Sequence, residues 1–419
     1  ERSRGLGDVY KRQRAGGHGA LVCDDDRRCN VERQRADGDA RRPRKFALLY
    51  NVHIEKLTEN HTRNSNLLPE LEGLRAVAAL GILTTHVAFQ TANDSPLLAR
   101  FDYFVAVFYA LSAFVLSRRG PRSGYFARRV ARIAPAYVVC VAVVLLALPA
   151  LGGVGVGQAV ANLLMLQIYV PGGLIAGLTQ MWSLCVEVAF YLVLPLYLAR
   201  SQRARWRVLA VAVLVGLAWP WMIEPFSDPE VVNLQIWPPS YAPWFAVGLV
   251  CAELERAGVR YRGPRWPFPL LAMPVAWFAG VVGPEGLIHP TPAEFNVRVL
   301  LGAVFAALFV APYALGPREG GTLLSTRPAM LAGRWSYSVF LWHMAVLDLV
   351  FPVLGVPVFG GHFWLVLGVT AAASLAVGYV SYELVEVPGA RVVRAALATR
   401  RGPATPGTPP RSTPQPAGA

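Results

Sequence analysis

The amino-acid sequence predicts an all-α protein, a polytopic membrane helix bundle of about ten transmembrane helices with both termini in the cytoplasm. Hydrophobic residues make up 54% of the 419 residues and charged residues only 16%, against about 45–50% and about 25% in soluble globular proteins. Apolar stretches of roughly 17–22 residues recur along the middle of the chain, the length required to cross a hydrocarbon core of about 30 Å. The arginines between these stretches are concentrated in every second loop, and so on one side of the membrane, which gives the predicted orientation.

The apolar stretches define ten predicted spans. They should be helical, because lipid offers no hydrogen-bond partner to the backbone at an open sheet edge. A transmembrane barrel would alternate apolar and polar residues, whereas the run from Val138 to Leu148 is apolar throughout. Segment 157–170 is apolar but short, and we expect an interfacial or re-entrant piece there. The spans are 73–92, 101–117, 133–151, 180–199, 207–222, 240–255, 267–283, 297–315, 335–353 and 362–383.

Arginines in the loops between the spans explain the net charge of +14. One set of loops holds Arg118, Arg119, Arg122, Arg128, Arg129, Arg132, Arg200, Arg203, Arg205, Arg207, Arg256, Arg260, Arg262, Arg265, Arg318, Arg327 and Arg334. The opposite set holds only Arg100 and Arg298. Positively charged loops stay in the cytoplasm, so the larger set and both termini are predicted there. Charge in this pattern indicates membrane lipid as a partner and no nucleic acid.

The two ends of the chain differ from the middle, and we predict three regions. Residues 1–66 are predicted to be disordered or non-native, because 1–13 resemble translated cloning sequence and the remainder is charged without periodicity. Residues 67–390 form the transmembrane domain, and 391–419 a disordered Pro-rich tail. Cys23 and Cys29 in the first region lack the ligand spacing of a zinc site, so we predict no metal.

The first span carries an arginine and a histidine on one face. His86 follows Arg75 by 11 residues, which corresponds to about 16 Å along a helix and to directions within about 20° of each other. Ionisable residues inside a membrane are costly and often functional. Histidine can accept a proton near neutral pH, or it can hydrogen-bond neighbouring helices as a structural contact. Because Arg75 lies on the same face of the helix as His86, we favour the catalytic interpretation.

Arg75, ten intervening residues and His86 resemble the R-x10-H signature of the acyltransferase family 3 membrane proteins. Further segments resemble family motifs in the expected order, and together they cover about 68–390. These segments are Phe108–Leu116, Arg128–Pro135, Trp182–Glu187 with Phe190 and Tyr191, Ser336–His343 and Glu386–Pro388. Ala113 stands where the family usually has glycine, and Glu72 where it usually has aspartate. Neither departure removes a proposed reacting group.

The resemblance implies an O-acyltransferase of the bacterial cytoplasmic membrane, with acyl-CoA, above all acetyl-CoA, as co-substrate and no bound cofactor. The acceptor would be a hydroxyl of a carbohydrate or glycolipid. We predict that Arg75, Arg128, Arg129 and Arg132 bind the donor, because arginines at a helix N-terminus suit phosphate groups. The alternative for these arginines is orientation of the chain and contact with anionic lipid.

The remaining candidate site residues lie in the fourth and ninth spans. His86 is the predicted general base, and Glu187 is predicted to be catalytic, either orienting the imidazole of His86 or binding the acceptor. Four residues are predicted to bind substrate: Trp182, Ser183, Tyr337 and His343. Ser183 shares a helix face with Glu187. The alternatives are a structural ion pair or hydrogen bond for Glu187, an interfacial aromatic position for Trp182 and a helix–helix contact for His343.

A polysaccharide or lipid exporter is the rival class, because transporters also place ionisable residues inside helix bundles. Transporters often show internal repeats and broken helices, and the two halves of this sequence show no clear repeat. A second alternative keeps the same donor and changes the acceptor, for example to an antibiotic hydroxyl. The sequence indicates no particular oligomeric state.

Overall fold

The computed structural model of the protein describes residues 68–399, except 121–123, 148–153, 227, 229–231, 284–288 and 318–320. Every regular element in this part of the chain is a helix. Ten apolar helices overlap the ten predicted spans, so the predicted all-α bundle is confirmed. They are α1 Pro69–Gln90, α2 Phe104–Arg119, α3 Tyr125–Ala147, α4 Trp182–Leu198, α5 Gln202–Ile223, α6 Ala242–Arg256, α7 Pro267–Val282, α8 Pro292–Ala314, α9 Arg327–Leu354 and α10 Phe363–Ser381.

The ten helices fall into two length classes. Eight of the helices in the described residues are long and apolar enough to cross a membrane, α2 and α4 when counted with the helical turns that precede them, as Pro96–Arg119 and Thr179–Leu198. The other two, α6 with 15 residues and α7 with 16, are shorter than the roughly 20 residues of a full crossing. A 3-10 turn over Pro238–Tyr241 leads directly into α6 and lengthens its helical path. The predicted count of about ten therefore includes two short helices.

The short apolar segment between α3 and α4 is too short to cross a membrane, as predicted. It contains a helix over Val156–Leu163, with 8 residues, and a 3-10 turn over Gln167–Tyr169. The buried amide of Asn162 holds this segment together by donating to the carbonyl oxygen of Gly173 at 2.8 Å. The Tyr137 hydroxyl of α3 donates to the carbonyl oxygen of Asn162 at 2.6 Å. The segment is thereby fixed against α3.

The chain continues as a helix beyond α10. A π-helical turn over Tyr382–Glu386 leads into α11, Val387–Thr399. The predicted boundary at 390 falls inside α11, where an alanine-containing sequence favours helix. Residues 1–66 and 400–419, with their predicted disorder, lie outside the described residues, as do Arg122 and Arg318 of the predicted cytoplasmic loops.

Helix α1 lies inside the bundle and α5 lies at its periphery. α1 packs against α2, α8, α9 and α10. In its most apolar 18-residue stretch 67% of the residues are buried, whereas the corresponding share for α5 is 22%. Large apolar side chains are exposed on peripheral helices, for example Leu196, Leu214 and Trp364. An apolar exterior of this kind is suited to lipid rather than to water. Most of α1 is therefore enclosed by protein.

Helices α1 and α9 run in the same direction and touch along their length. We call this contact the α1–α9 seam and define it by three pairs, Glu72–Gly333, His86–His343 and Gln90–Asp348. A side-chain carbon on Gly333 would overlap the carbonyl oxygen of Glu72. Glycine is therefore required for the close backbone approach at the first pair, as in other membrane helix contacts. This close approach brings the later side chains of both helices within hydrogen-bond distance.

Arginines at the two ends of the bundle are paired with carboxylates. On the predicted outer side, Arg100 and Arg298 both pair with Asp102. On the predicted cytoplasmic side, the fully buried Glu253 pairs with Arg205 at 2.7 Å. These pairs neutralise charges that burial would otherwise disfavour. Their role is to tie neighbouring helices and loops together.

Candidate active site

Two histidines meet in the half of the α1–α9 seam that is predicted to face the outer side. His86 lies 17 residues after the start of α1 at Pro69, and His343 lies 16 residues after the start of α9 at Arg327. Because the helices run in parallel, these positions share one depth. The Nδ1 atom of His86 is 2.8 Å from the Nε2 atom of His343. Their rings are 10° from parallel with centroids 5.1 Å apart, so the imidazoles form one hydrogen-bonded unit.

The hydrogen bonds of this pair assign its tautomers. The Nδ1 atom of the buried His343 is 2.8 Å from the carbonyl oxygen of Phe340. A carbonyl oxygen only accepts, so Nδ1–H of His343 donates to it, and Nε2 of a neutral His343 is then an acceptor. Because Nε2 of His343 accepts, Nδ1 of His86 must carry the hydrogen atom and donate it. Nε2 of His86 then carries the lone pair, and it has no partner in the part of the chain that the structure describes.

The arrangement suits a general base. A proton taken by Nε2 of His86 leaves Nδ1–H bonded to His343, which stabilises the imidazolium and fixes its orientation. His343 was predicted to bind substrate or to form a helix–helix contact. The structure places it as the direct partner of His86, a contact between α1 and α9, with the Phe340 carbonyl supporting it from the preceding turn of α9.

Glu187 lies in a separate hydrogen-bonded cluster between α2 and α4. Its Oε1 atom accepts from the Ser112 hydroxyl at 2.6 Å and from the Tyr191 hydroxyl at 2.5 Å. The predicted orienting contact to His86 is made by His343 and not by Glu187, because α9 shares the seam with α1 while α4 packs against α2. Glu187 thus fixes the hydroxyl of Tyr191.

Three arginines from α1 and α3 converge near the predicted cytoplasmic side, and we call them the arginine cluster: Arg75, Arg129 and Arg132. The Arg129 guanidinium lies over the Tyr191 ring, 5.9 Å from its centroid. Arg132 lies over the Tyr337 ring at 5.4 Å. Arg75 interacts electrostatically with both Arg132 and Tyr191. The cluster therefore combines three positive charges with two aromatic rings.

The arginine cluster retains unused hydrogen-bond donors. The Nε atoms of Arg75 and Arg129 are buried and lack a hydrogen-bond partner among the described residues. Arg132 differs, because it pairs with Glu386 of the π-helical turn. Arg128, the fourth predicted donor-binding residue, is exposed on the surface of α3. Arg75 and Arg129 are consequently the arginines best placed to take an anionic ligand.

The other predicted substrate-binding residues make protein contacts. Trp182 and Ser183 lie in the first turn of α4, where the Trp182 ring packs against Tyr241 at 5.0 Å. The Ser183 hydroxyl donates to the carbonyl oxygen of Gln180 at 3.1 Å. The Tyr337 hydroxyl donates to the backbone of α3 at 2.9 Å. These contacts position α4 and hold α9 against α3, beside the arginine cluster.

The sequence analysis assigned no role to five residues of the site: Gln90, Ser112, Tyr191, Asp348 and Glu386. The Gln90 side-chain amide donates to Oδ1 of Asp348 at 3.3 Å, one helical turn beyond the histidine pair. Asp348 carried a usable signal, since a carboxylate in an apolar span is unusual. Ser112 and Tyr191 lie in segments that resemble family motifs, but a hydroxyl residue in a helix interface does not by itself indicate its partner.

Comparison with known proteins identifies the family. Residues 68–383 match a protein family described as an acyltransferase domain. The chain belongs to acyltransferase family 3. The resemblance stated from the motifs is thus confirmed, and the protein is a multi-pass membrane acyltransferase.

Two of the three similar proteins described next are named for acyl or acetyl transfer. An acyltransferase of Streptomyces mycarofaciens is 30% identical over 382 residues, 81% of this chain and 96% of that protein. Nodulation protein 10 of Rhizobium leguminosarum bv. viciae is 27% identical over 337 residues, 71% of this chain and 84% of its own length. A peptidoglycan O-acetyltransferase of Listeria monocytogenes is 22% identical over 373 residues, 80% of this chain and 57% of that protein. No solved structure matches the chain.

Proposed function

We propose that the protein transfers an acyl group, acetyl above all, from cytoplasmic acyl-CoA to a hydroxyl of a carbohydrate or glycolipid, with His86 as general base. One observation carries the proposal, the hydrogen-bonded pair of His86 and His343. Its tautomers leave the lone pair of His86 Nε2 available. A base positioned in this way typically contributes about 10²–10⁴-fold to a rate.

The arginine cluster supports a polyanionic donor. Guanidinium groups bind phosphate oxygens through paired N–H donors, and Arg75 and Arg129 each retain a buried N–H without a partner. Arg129 also lies in the first turns of α3, which begins at Tyr125, where the helix N-terminus favours anions. From there a thioester would extend about 16 Å along α1 to reach His86.

The proposed step transfers the acyl group directly. The acceptor hydroxyl oxygen attacks the thioester carbonyl carbon while Nε2 of His86 takes the hydroxyl proton. A carbon–oxygen bond forms and the carbon–sulfur bond breaks. The departing thiolate takes the proton back from His86, which returns to its starting tautomer. His343 keeps the imidazole oriented throughout, since its Nε2 accepts from His86 in both protonation states.

The names of the relatives support a hydroxyl acceptor. The Listeria relative is named for O-acetylation of peptidoglycan, and the Streptomyces relative is named an acyltransferase. The matched region is only 57% of the Listeria protein. A carbohydrate substrate for the present chain is therefore part of our proposal. His86 in the outer half of α1 is consistent with an acceptor that arrives from the outer side of the membrane.

Mass spectrometry of surface glycans tests the proposal. Cells that produce the full chain should carry an added acyl mass on one sugar, and cells that produce His86→Ala should not. His86→Gln serves as a matched variant, because its amide N–H can still donate to His343 while lacking a basic nitrogen. We expect both variants to reach the membrane in wild-type amounts. Equal acylation in the His86 variants would exclude His86 as base, and donor-independent export of an unmodified glycan would favour the transporter class.

A further inference from the structure

Gln90 and Asp348 form a second polar pair in the α1–α9 seam, on the outer side of the histidines. Gln90 is four residues beyond His86 and Asp348 five beyond His343, a displacement of about 6–7.5 Å along the helix axes. The Gln90 amide donates to Oδ1 of Asp348 at 3.3 Å. An acceptor that approaches His86 from outside along the seam therefore meets this pair first.

Asp348 retains most of its capacity to accept hydrogen bonds. A carboxylate offers about four acceptor positions on its two oxygens, and the long contact from Gln90 is its one partner in the described part of the chain. Asp348 is half-buried within an apolar helix, where an under-solvated carboxylate is costly. Donor groups of a bound ligand would satisfy it.

The loop between α9 and α10 fixes the outer end of the seam. The Phe359 backbone N–H donates to the carbonyl oxygen of Gln90 at 2.7 Å, and the Phe359 ring meets Phe89 edge-on at 5.8 Å. Phe359 and His362 have φ values of 62° and 60°, a left-handed conformation that non-glycine residues adopt at a free-energy cost. Strain of this kind accompanies pre-organised sites, and here the loop holds Gln90 in place.

We propose that Asp348, supported by Gln90, is a positioning residue that accepts a hydrogen bond from a second hydroxyl of the acceptor. This contact would bring the reacting hydroxyl onto Nε2 of His86, so the inference rests on the proposed function of His86. The distance between the two pairs is comparable to the width of one sugar ring. The acceptor is then a polyol that is uncharged near its reacting hydroxyl, because a carboxylate repels an anionic substituent there.

Steady-state kinetics of the full chain in lipid vesicles test the inference. The assay supplies labelled acetyl-CoA and neutral oligosaccharides of glucose, galactose or N-acetylglucosamine, each also as its uronic-acid counterpart where one exists. We expect Asp348→Asn to raise the acceptor KM at least about tenfold, since a charge-assisted hydrogen bond is lost, and to leave the acetyl-CoA KM unchanged. It should also narrow the preference for neutral over anionic acceptors, which a purely structural role would not do.

Two variants act as controls. Asp348→Glu keeps the carboxylate and should recover part of the acceptor affinity, whereas Asp94→Asn removes an exposed outer-side carboxylate and should have wild-type kinetics. An unchanged acceptor KM in Asp348→Asn would overturn this inference alone. So would an equal rise in both KM values, which would indicate a structural role. If the wild type acylates none of the oligosaccharides, the proposed function fails and this inference fails with it.

Discussion

The two ends of α1 contribute different chemistry to one site. Near the predicted cytoplasmic end, Arg75 joins two arginines of α3 around aromatic rings, and guanidinium nitrogens remain without partners. In the outer half, His86 belongs to a neutral pair whose tautomers are fixed. Charge suits a polyanionic donor, and a neutral base suits a hydroxyl. One helix can serve both because about 16 Å separates the two regions.

The arginines show that pairing, rather than charge alone, distinguishes a binding region from a structural one. Arg129 lies over an aromatic ring, a contact that leaves its N–H groups free for a ligand. Arg100 and Arg298 are paired with Asp102 instead. Equal charges at the two sides of the bundle therefore differ in what they can bind.

The largest effect is expected from a substitution of His343, which would disrupt the histidine pair at the outer end of the site. His343→Ala removes the acceptor of His86 Nδ1–H, so the tautomer and orientation of the base are lost. We expect kcat to fall at least about 100-fold with the acetyl-CoA KM unchanged, as measured by initial rates in vesicles. His343→Gln can present an amide oxygen to Nδ1–H and should recover part of kcat. Wild-type kcat in His343→Ala would contradict the assigned tautomer.

The next effect concerns the cytoplasmic region. Arg75→Gln and Arg129→Gln each remove a charged donor, and we expect each to raise the acetyl-CoA KM about tenfold with little change in acceptor KM. Arg203→Gln, an exposed arginine of a predicted cytoplasmic loop, is the matched control. The comparison between the two regions fails if all three variants behave alike, which would indicate general attraction of the donor to positive charge.

A third prediction concerns the close contact between α1 and α9 at Gly333. Gly333→Ala places a methyl group on the carbonyl oxygen of Glu72, and overpacking of this kind costs about 1–3 kcal/mol. We expect a lower midpoint of thermal unfolding in detergent. Gly368→Ala in α10 is the control, because nothing lies within 4 Å of its added carbon and alanine favours helix. Equal midpoints for the two variants would argue against the tight seam.

The smallest effect is expected from a substitution of Glu187. Its kinetics show whether this carboxylate acts with the arginine cluster or with His86. An amide oxygen at Glu187→Gln can still accept from Ser112 and Tyr191, so only the charge is lost. We expect the acetyl-CoA KM to change by less than about fivefold, in the range of modest electrostatic effects, with kcat preserved. A large fall in kcat with unchanged KM would instead connect Glu187 to His86 and return it to the originally predicted role.

Local properties of the sequence determined most of the fold. Span length and hydrophobicity predicted all ten helices, including the short α6 and α7. Helical periodicity placed Arg75 and His86 on one face, and the ordered motifs indicated the family that residues 68–383 confirm. Span length, hydrophobicity, helical periodicity and each single motif are properties of residues that lie close together in the chain. They can therefore be recognised without knowing how the helices pack.

Tertiary structure alone decided the partners within the site. His86 and His343 are 257 residues apart, and neither sequence neighbourhood indicates which helix the other will meet. The pairing follows from the close approach of α1 and α9 at Gly333, which sets the register of every later contact in the seam. The same packing assigns Glu187 to Ser112 and Tyr191. The position of each residue along its helix could be read from the sequence, whereas the choice of neighbouring helix depends on three-dimensional packing.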